Sequence, residues 1–252
     1  MKNFLLKFIL IALIFSIGGI EVFAISSYKV PILVYHSFGP ARSKKESSMQ
    51  LHYRVTTNAF EKQMKYLSDN GYHPISFSNY VNSLKNNMAL PDKAVVLTFD
   101  DGWKSQYQYA VPILEKYHFT ATFFVVSSYV GGRSYMGWND LKDLIAHNFE
   151  IGSHTKTHEM LTKISSEKLI SELKESKKIL EKKLNIKITA LAYPYYAQNI
   201  SVRDAAKSIL YAGARGGWKK FENSLDHIYK LKAQEVVNNP NPFKSDRLPD
   251  LP

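Results

Sequence analysis

The chain has 252 residues, 45% of them apolar, and a formal net charge of +11 at pH 7. This length and apolar content predict one sizeable domain with a single hydrophobic core. The chain contains no cysteine, which excludes disulfides, a cysteine nucleophile and thiolate metal ligands. Any metal ion would therefore be held by histidine, aspartate or glutamate.

The first 24 residues have the layout of a secretory signal. Lys2 and Lys7 are followed by an apolar stretch from Phe8 to Ile20, and the small residues after it favour cleavage behind Ala24. The alternative is an uncleaved membrane anchor, but about 13 apolar residues are fewer than the roughly 20 that a helix needs to cross a bilayer. We therefore expect an exported protein that is secreted or associated with the cell surface.

The positive charge remains when the signal is removed. That segment holds two lysines and one glutamate, so the mature chain would carry a charge of +10. The lysines alternate with glutamates along helical segments such as SEKLISELKESKKILEKKL, which is typical of a solvated face. A basic exported protein is attracted to anionic surfaces, and this pattern favours anionic cell-surface polymers as partners over nucleic acid.

Short apolar runs and segments with helical periodicity alternate along the rest of the chain. In chain order we predict strand 31–36, helix 58–72 capped by Thr57, strand 73–77, helix 78–86, strand 93–99, helix 106–118 with Pro112 kinking it or marking a late start, strand 121–126, helix 138–148, strand 149–154, helix 165–185, strand 188–194, helix 202–210, and weaker strands at 211–215 and 227–236. Alternation of this kind implies a parallel sheet with right-handed crossovers. Seven or eight such units predict an α/β fold closed into a barrel.

Two stretches depart from this alternation. Residues 39–56 are polar and irregular, which favours a loop above the barrel. Residues 239–252 are rich in proline and predict an extended tail. The folded domain is therefore expected to cover residues 25–238.

Unusual polar residues follow three of the predicted strands. Asp100 and Asp101 come after VVLTF, His154 and His158 after or at the end of FEIGSH, and a YPY triplet after ITALA. Because a parallel barrel builds its active site at the carboxyl ends of its strands, we expect these groups to meet at one mouth.

Each pair on its own has an ordinary explanation. HxxxH also fits two histidines on a polar surface loop, and Asp-Asp-Gly is common in turns. Together at strand ends they favour a metal site, because two imidazoles and one carboxylate form a common catalytic zinc set. Neighbouring carboxylates repel unless a cation lies beside them, and one of the pair could then stay free to take a proton from the attacking water.

TFDDG, HTKTH and YPY, in this order, resemble the motifs of the polysaccharide deacetylase family (NodB homology, carbohydrate esterase family 4). The resemblance covers roughly residues 30–236, with the NodB-like core at about 93–236. PILVYHSF is similar to the branch of exported poly-β-1,6-N-acetylglucosamine deacetylases. The resemblance implies a distorted (β/α)7–8 barrel, a divalent metal that is usually zinc and sometimes cobalt or nickel, and hydrolysis of acetyl groups on N-acetylglucosamine polymers or related glycans.

The resemblance also implies roles for individual residues. Asp100 would be the general base, and Asp101 would bind the metal together with His154 and His158. Tyr195 would give its backbone N–H to the oxyanion of the tetrahedral intermediate, where donors of this kind contribute strongly to catalysis.

Further roles are predicted for aromatic residues and for His36. We expect Tyr193 and Trp218 to take part in substrate binding, with Trp218 as the wall of a sugar subsite. Trp103 and Trp138 could stack on sugars or lie in the core. His36, at the end of the first predicted strand, is interpreted as a structural histidine, with substrate contact as the alternative.

The chain departs from the family pattern at three positions. Ala192 stands where many members have an arginine, so the residue that would orient Asp100 is expected to be missing. The late Leu-x-His motif reads LKA at 231–233, so the general acid is unassigned, and nothing in the spacing brings His227 to the site. Tyr196 replaces a glycine that commonly follows YPY.

These observations predict a monomeric, secreted, metal-dependent enzyme that removes N-acetyl groups from an N-acetylglucosamine-containing polysaccharide. One alternative is an O-acetyl esterase that acts on xylan or peptidoglycan. A second alternative is a glycan-binding barrel with weak catalysis, motivated by the missing arginine and histidine.

Overall fold

The computed structural model describes residues 28–40, 52–218, 222–237 and 251. The predicted signal segment and nearly all of the predicted tail lie outside these residues, so both stay predictions. Within the described parts, no helix combines the length and the apolar character needed to cross a bilayer.

The described strands follow the predicted order closely. They are β1 Tyr28–Lys29, β2 Ile32–Tyr35, β3 Ser37–Gly39, β4 Arg54–Thr56, β5 His73–Ile75, β6 Ala94–Phe99, β7 Thr122–Val125, β8 Glu150–Ser153, β9 Ala190–Ala192, β10 Gly213–Trp218, β11 Glu222–Asn223 and β12 Leu231–Glu235. The α-helices between them are α1 Thr57–Asp69, α2 Phe77–Asn86, α3 Val111–Lys116, α4 Trp138–Ala146, α5 Ser166–Leu184 and α6 Ile200–Ser208.

Seven parallel strands close into a barrel in the order β2, β6, β7, β8, β9, β10 and β12. The ring closes where β12 pairs with β2 through Gln234 and Leu33. The strand β5 pairs with the first half of β6 and lies outside this ring. The predicted α/β barrel is therefore confirmed, with seven strands in its wall, and all seven carboxyl ends open on the same mouth.

Strand β6 shows how a barrel strand can carry apolar side chains on both of its faces. Val95, Leu97 and Phe99 belong to one buried cluster, which includes the residues of the surrounding helices. Ala94 and Val96 belong to a second buried cluster with residues of other barrel strands. A parallel strand covered on both faces needs apolar side chains at every position, and each large one contributes roughly 1.5–3 kcal/mol on burial.

Helix boundaries are set by local capping. The N-cap of α1 is Thr56, whose hydroxyl accepts the Ala59 N–H, and not Thr57 as predicted. Helix α5 begins behind the N-cap Ser165 and ends at Asn185, which adopts a left-handed conformation. The predicted helix at 106–118 starts as a π-helical turn and continues as α3, so Pro112, which has no N–H to donate, lies just behind the change of helical type.

The predicted irregular loop at 39–56 is partly ordered. Strands β3 and β4 pair in parallel, joining residues 37–39 to residues 54–56. Residues 41–51 lie outside the described part of the chain. The residues that follow β2 and those that precede α1 are thus paired as strands, which the polar composition did not suggest.

Candidate active site

Asp101, His154 and His158 converge at the barrel mouth. The Oδ1 atom of Asp101 lies 3.5 Å from His154 Nε2 and 3.3 Å from His158 Nε2. One donor atom from each of the three residues lies within 4.8 Å of the other two. Ligands of a tetrahedral ion with bonds of about 2.1 Å are separated by about 3.4 Å, so this group has the donors and the spacing of a divalent metal site.

The hydrogen bonding of His154 presents the correct nitrogen to this site. Its Nδ1 lies 2.8 Å from the carbonyl oxygen of Ala192, which can only accept, so Nδ1 carries the proton. Burial lowers the pKa of His154 to about 4, although Asp100 and Asp101 act in the opposite direction. The ring is therefore neutral near pH 7, with the Nε2 lone pair facing Asp101, which is the form that binds metals.

The environment of Asp101 favours its ionised form. Burial alone would raise the pKa of Asp101, but its hydrogen bond with His158 and the nearby His154 and His36 lower it well below the usual range. The backbone of Asp101 has a φ of 73°, in the left-handed region that is uncommon for non-glycine residues. The strand end thus turns sharply and directs this carboxylate toward the two histidines.

Trp103 fixes which oxygen of Asp101 faces the histidines. The indole Nε1–H donates to Asp101 Oδ2 at 2.8 Å, which leaves Oδ1 directed at the two imidazoles. The indole ring stacks on Tyr135 with centroids 4.7 Å apart. From the sequence, Trp103 could either contact a sugar or lie in the core. The structure shows instead that it donates a hydrogen bond to a predicted metal ligand.

Replacing Trp103 by phenylalanine is expected to weaken metal binding about tenfold, since outer hydrogen bonds to metal ligands commonly contribute this much. Phenylalanine keeps a stacking ring and removes only the N–H donor. The dissociation constant should be measured by competition with a chromogenic chelator, with Trp138→Phe as the matched control. A dissociation constant within twofold of the wild-type value would show that the indole does not orient Asp101.

Asp100 is held apart from the metal group by an arginine. Its side chain is buried, and both carboxylate oxygens lie 2.5 Å from Arg215 Nη2. Asp100 Oδ2 lies 3.8 Å from His154 Nε2 and 4.0 Å from His36 Nε2. Both neighbouring carboxylates lie within 4 Å of His154 Nε2, and the Arg215 guanidinium compensates the charge of Asp100, which reduces their mutual repulsion.

Arg215 is fully buried in strand β10. Its guanidinium lies between the rings of Phe124 and Tyr196, at 5.4 and 5.2 Å from their centroids. Burial acts to lower the pKa of Arg215, but the charge of Asp100 raises it overall. The guanidinium compensates the buried carboxylate and fixes its orientation.

The expectation that no arginine orients Asp100 is wrong. In the parallel register of β9 and β10, Arg215 lies directly opposite Ala192, the position where the family arginine was expected. Strand β10, beside β9, thus supplies the arginine that holds Asp100. The sequence carried a signal for this, because an arginine within the small-residue strand GARGGW is hard to bury without an acidic partner.

The three residues of YPY have different environments. Tyr193 is 1% exposed, and a Cβ at Gly216 would lie 2.4 Å from its ring, so the two residues pack closely in the interior. The Tyr193 side chain therefore lies in the core, and its predicted part in substrate binding stays a prediction. Tyr195 is 60% exposed with a φ of 58°, and its ring meets His158 edge to face at 4.9 Å.

Sequence comparison assigns the family. The profile described as polysaccharide deacetylase matches residues 87–214, which is half of the chain and includes both acidic and histidine motifs. The chain belongs to the polysaccharide deacetylase family. Members of this family are hydrolases, and the predicted family resemblance is confirmed.

Individual relatives and structures agree with this assignment. The YxkH protein of Bacillus subtilis (strain 168) is 32% identical over 183 residues, which are 73% of this chain and 62% of that protein. A poly-β-1,6-N-acetyl-D-glucosamine N-deacetylase of Staphylococcus aureus (strain MRSA252) is 27% identical over 188 residues, 69% of this chain and 63% of that protein. The chain thus spans less than two thirds of these relatives. The deacetylase PplD of Streptococcus pyogenes, solved in complex with acetate, is 26% identical with a TM-score of 0.77, over 90% of this chain and 100% of that chain.

The remaining predicted site residues of this deacetylase family member lie in different places. The backbone of Trp218 ends strand β10, and its side chain lies outside the described residues, so its subsite role stays a prediction. Trp138 begins α4, with Lys183 Nζ 5.8 Å from its ring. His227 precedes β12 and bonds with Ser224, which places it at the amino end of that strand, whereas the active site opens at the carboxyl ends.

Proposed function

We propose that this member of the polysaccharide deacetylase family is an exported, metal-dependent N-deacetylase of an N-acetylglucosamine-containing polysaccharide. The observation that carries the proposal is the pairing of two groups at one mouth. Asp101, His154 and His158 bring together donor atoms that could hold a metal ion, and beside them Asp100 is held separately by Arg215. The relative from Staphylococcus aureus supports a glucosamine polymer as the substrate class.

Asp101, His154 and His158 would hold the divalent ion. Two imidazole nitrogens and one carboxylate suit zinc and leave a position open for water and substrate, and cobalt or nickel would also fit. When bound, such an ion supplies Lewis acidity that activates water and polarises the acetyl carbonyl.

The residues of the chain carry the proton transfers. Asp100 accepts a proton from the attacking water as its oxygen bonds to the acetyl carbon. The Tyr195 N–H would donate to the oxygen of the resulting tetrahedral intermediate and stabilise it by a fixed dipole. The carbon–nitrogen bond then breaks, and the departing nitrogen takes a proton, so that acetate and a free amine are released.

His36 is the group that we assign to protonate the departing nitrogen. It lies outside the metal-ligand set, with Nε2 4.0 Å from Asp100 Oδ2. Its ring packs against Tyr53 at 4.9 Å between centroids. This position next to the base supports His36 as the general acid, which the sequence left unassigned, over the structural role interpreted from the sequence.

Replacing His36 by alanine is expected to lower kcat by about 100-fold, because a positioned acid contributes roughly 10²–10⁴ to the rate. Metal affinity should stay within twofold of the wild-type value. His52→Ala is the matched control, because His52 packs edge to face on the same Tyr53 ring at 4.8 Å. A kcat within threefold of the wild-type value would show that His36 is a structural residue and not the general acid.

The activity is tested by acetate release from acetylated glucosamine oligomers, with zinc, cobalt or nickel added to chelator-treated protein. We expect release that requires the metal and is faster on amide than on ester substrates. Faster release from acetylated xylan or O-acetylated peptidoglycan would favour the esterase alternative. Glycan binding without release for every metal and substrate would favour the weakly catalytic barrel.

Export and assembly are proposals that rest on the sequence alone. Cell fractionation should place the protein outside the cytoplasmic fraction, with cleavage behind Ala24 detected by N-terminal sequencing. Light scattering should give a monomer of the mature chain. The basic surface is expected to associate with anionic cell-surface polymers, and that association should weaken as salt is added.

A further inference from the structure

The segment that joins the two predicted metal histidines, residues 154–158, has a constrained backbone. We call it the histidine loop. Thr155 has a φ of 68° and His158 a φ of 63°, both in the left-handed region. This conformation costs roughly 1–2 kcal/mol for residues with a Cβ, and more for a β-branched residue such as threonine. The loop therefore needs contacts from outside to keep His158 in place.

Glu172 on helix α5 provides such contacts. Its side chain is 1% exposed. Oε2 accepts the backbone N–H groups of Lys156 at 3.0 Å and Thr157 at 2.8 Å, and Oε1 accepts the Thr157 hydroxyl at 2.6 Å. Lys168 Nζ lies 3.8 Å from Oε1. A buried carboxylate is costly unless it is well hydrogen bonded, and all three hydrogen bonds of this one go to the histidine loop.

The other side of the histidine loop is held by the segment that follows β7. Ser127 N–H donates to the carbonyl of Thr155 at 3.2 Å, and Ser128 N–H donates to the carbonyl of Lys156 at 3.0 Å. Within the loop, the Thr155 hydroxyl accepts the N–H of His158 at 3.1 Å. The loop is thus fixed between two elements, and α5 contributes its part through one side chain.

We propose that Glu172 is a positioning residue that sets His158 against Asp101 and so controls metal affinity. The inference rests on the proposed metal site. Without Glu172, the backbone N–H groups of Lys156 and Thr157, which lie between the two left-handed residues, lose their acceptor. The loop would relax, and His158 Nε2 would leave its position 3.3 Å from Asp101 Oδ1.

The experiment compares Glu172→Ala with Glu181→Ala in the full chain. Glu181 is a matched control, because it lies on the same helix and also accepts a backbone N–H, that of Ile188 at 3.0 Å. The dissociation constant for zinc is measured by competition with a chelator. Removing a residue that holds a metal ligand in place commonly lowers metal affinity 10–100-fold. We therefore expect a loss of this size for Glu172→Ala and a change within twofold for Glu181→Ala. Glu172→Gln, which keeps an acceptor oxygen, should recover most of the affinity.

Two outcomes separate this inference from the proposed function. If the wild-type protein binds none of zinc, cobalt and nickel, both are wrong. If the wild type binds zinc and Glu172→Ala binds it within twofold, the inference alone is wrong. Should Glu172→Ala fail to fold, Thr157→Val removes only the hydroxyl bond, and an affinity about three- to tenfold weaker is expected from the loss of one hydrogen bond. An unchanged affinity in that variant would also overturn the inference.

Discussion

Replacing Asp100 by asparagine is expected to reduce acetate release at least about 10³-fold while zinc still binds with nearly wild-type affinity. Asparagine keeps the size of the side chain but cannot accept a proton, and a general base contributes roughly 10²–10⁴ to the rate. The three metal-ligand side chains are not changed, and Asp100 is held by Arg215 and not by that group. Initial rates and zinc dissociation constants of the same preparation give the measurement.

The control for this variant is Asp101→Asn, the adjacent carboxylate. It should lose zinc affinity and activity together, because Asp101 Oδ1 faces both imidazoles. The two variants therefore separate proton transfer from metal binding. Asp100 is not the general base if Asp100→Asn keeps more than a tenth of the activity. The same conclusion follows if that variant no longer binds zinc.

Much of the fold could be predicted because most barrel strands have a strong local pattern. The run AVVLTF is apolar except for Thr98, as suits a strand covered on both faces, and it forms β6. The long helix at 165–185 was bounded by its own capping residues and was found at Ser166–Leu184. Closure with seven strands, and the exclusion of β5 from the ring, depend on pairings between distant strands that local patterns do not contain.

The candidate site was predictable where its residues stand together in short motifs. Asp101, His154 and His158 do converge as the strand-end argument predicted. Arg215 was missed because it lies 115 residues from Asp100, and only the register of β9 and β10 brings it opposite Ala192. The different burial of Tyr193 and Tyr195 was not predictable, because the order of residues in YPY does not reveal which ring enters the core and which remains exposed.

Arg215 allows the second large effect to be predicted. Replacing Arg215 by methionine is expected to lower the free energy of unfolding of the metal-free protein by about 3–5 kcal/mol, because it leaves the buried carboxylate of Asp100 without its partner. Arg215 and Asp100 are both nearly inaccessible to water, so solvent cannot replace the lost interaction. Urea unfolding gives the measurement. Activity should fall as well, since the carboxylate loses the group that orients it.

The double variant Arg215→Met with Asp100→Asn tests the cause of this loss. Removing the charge of Asp100 should restore part of the stability, so that the double variant unfolds with a free energy well above that of Arg215→Met alone. Arg203→Met serves as the control, because Arg203 donates to the neutral side chain of Gln198 and should cost less than about 1 kcal/mol. The contrary result is a double variant that loses as much unfolding free energy as Arg215→Met and Asp100→Asn together. The destabilisation would then come from lost packing against Phe124 and Tyr196 and not from an unpaired charge.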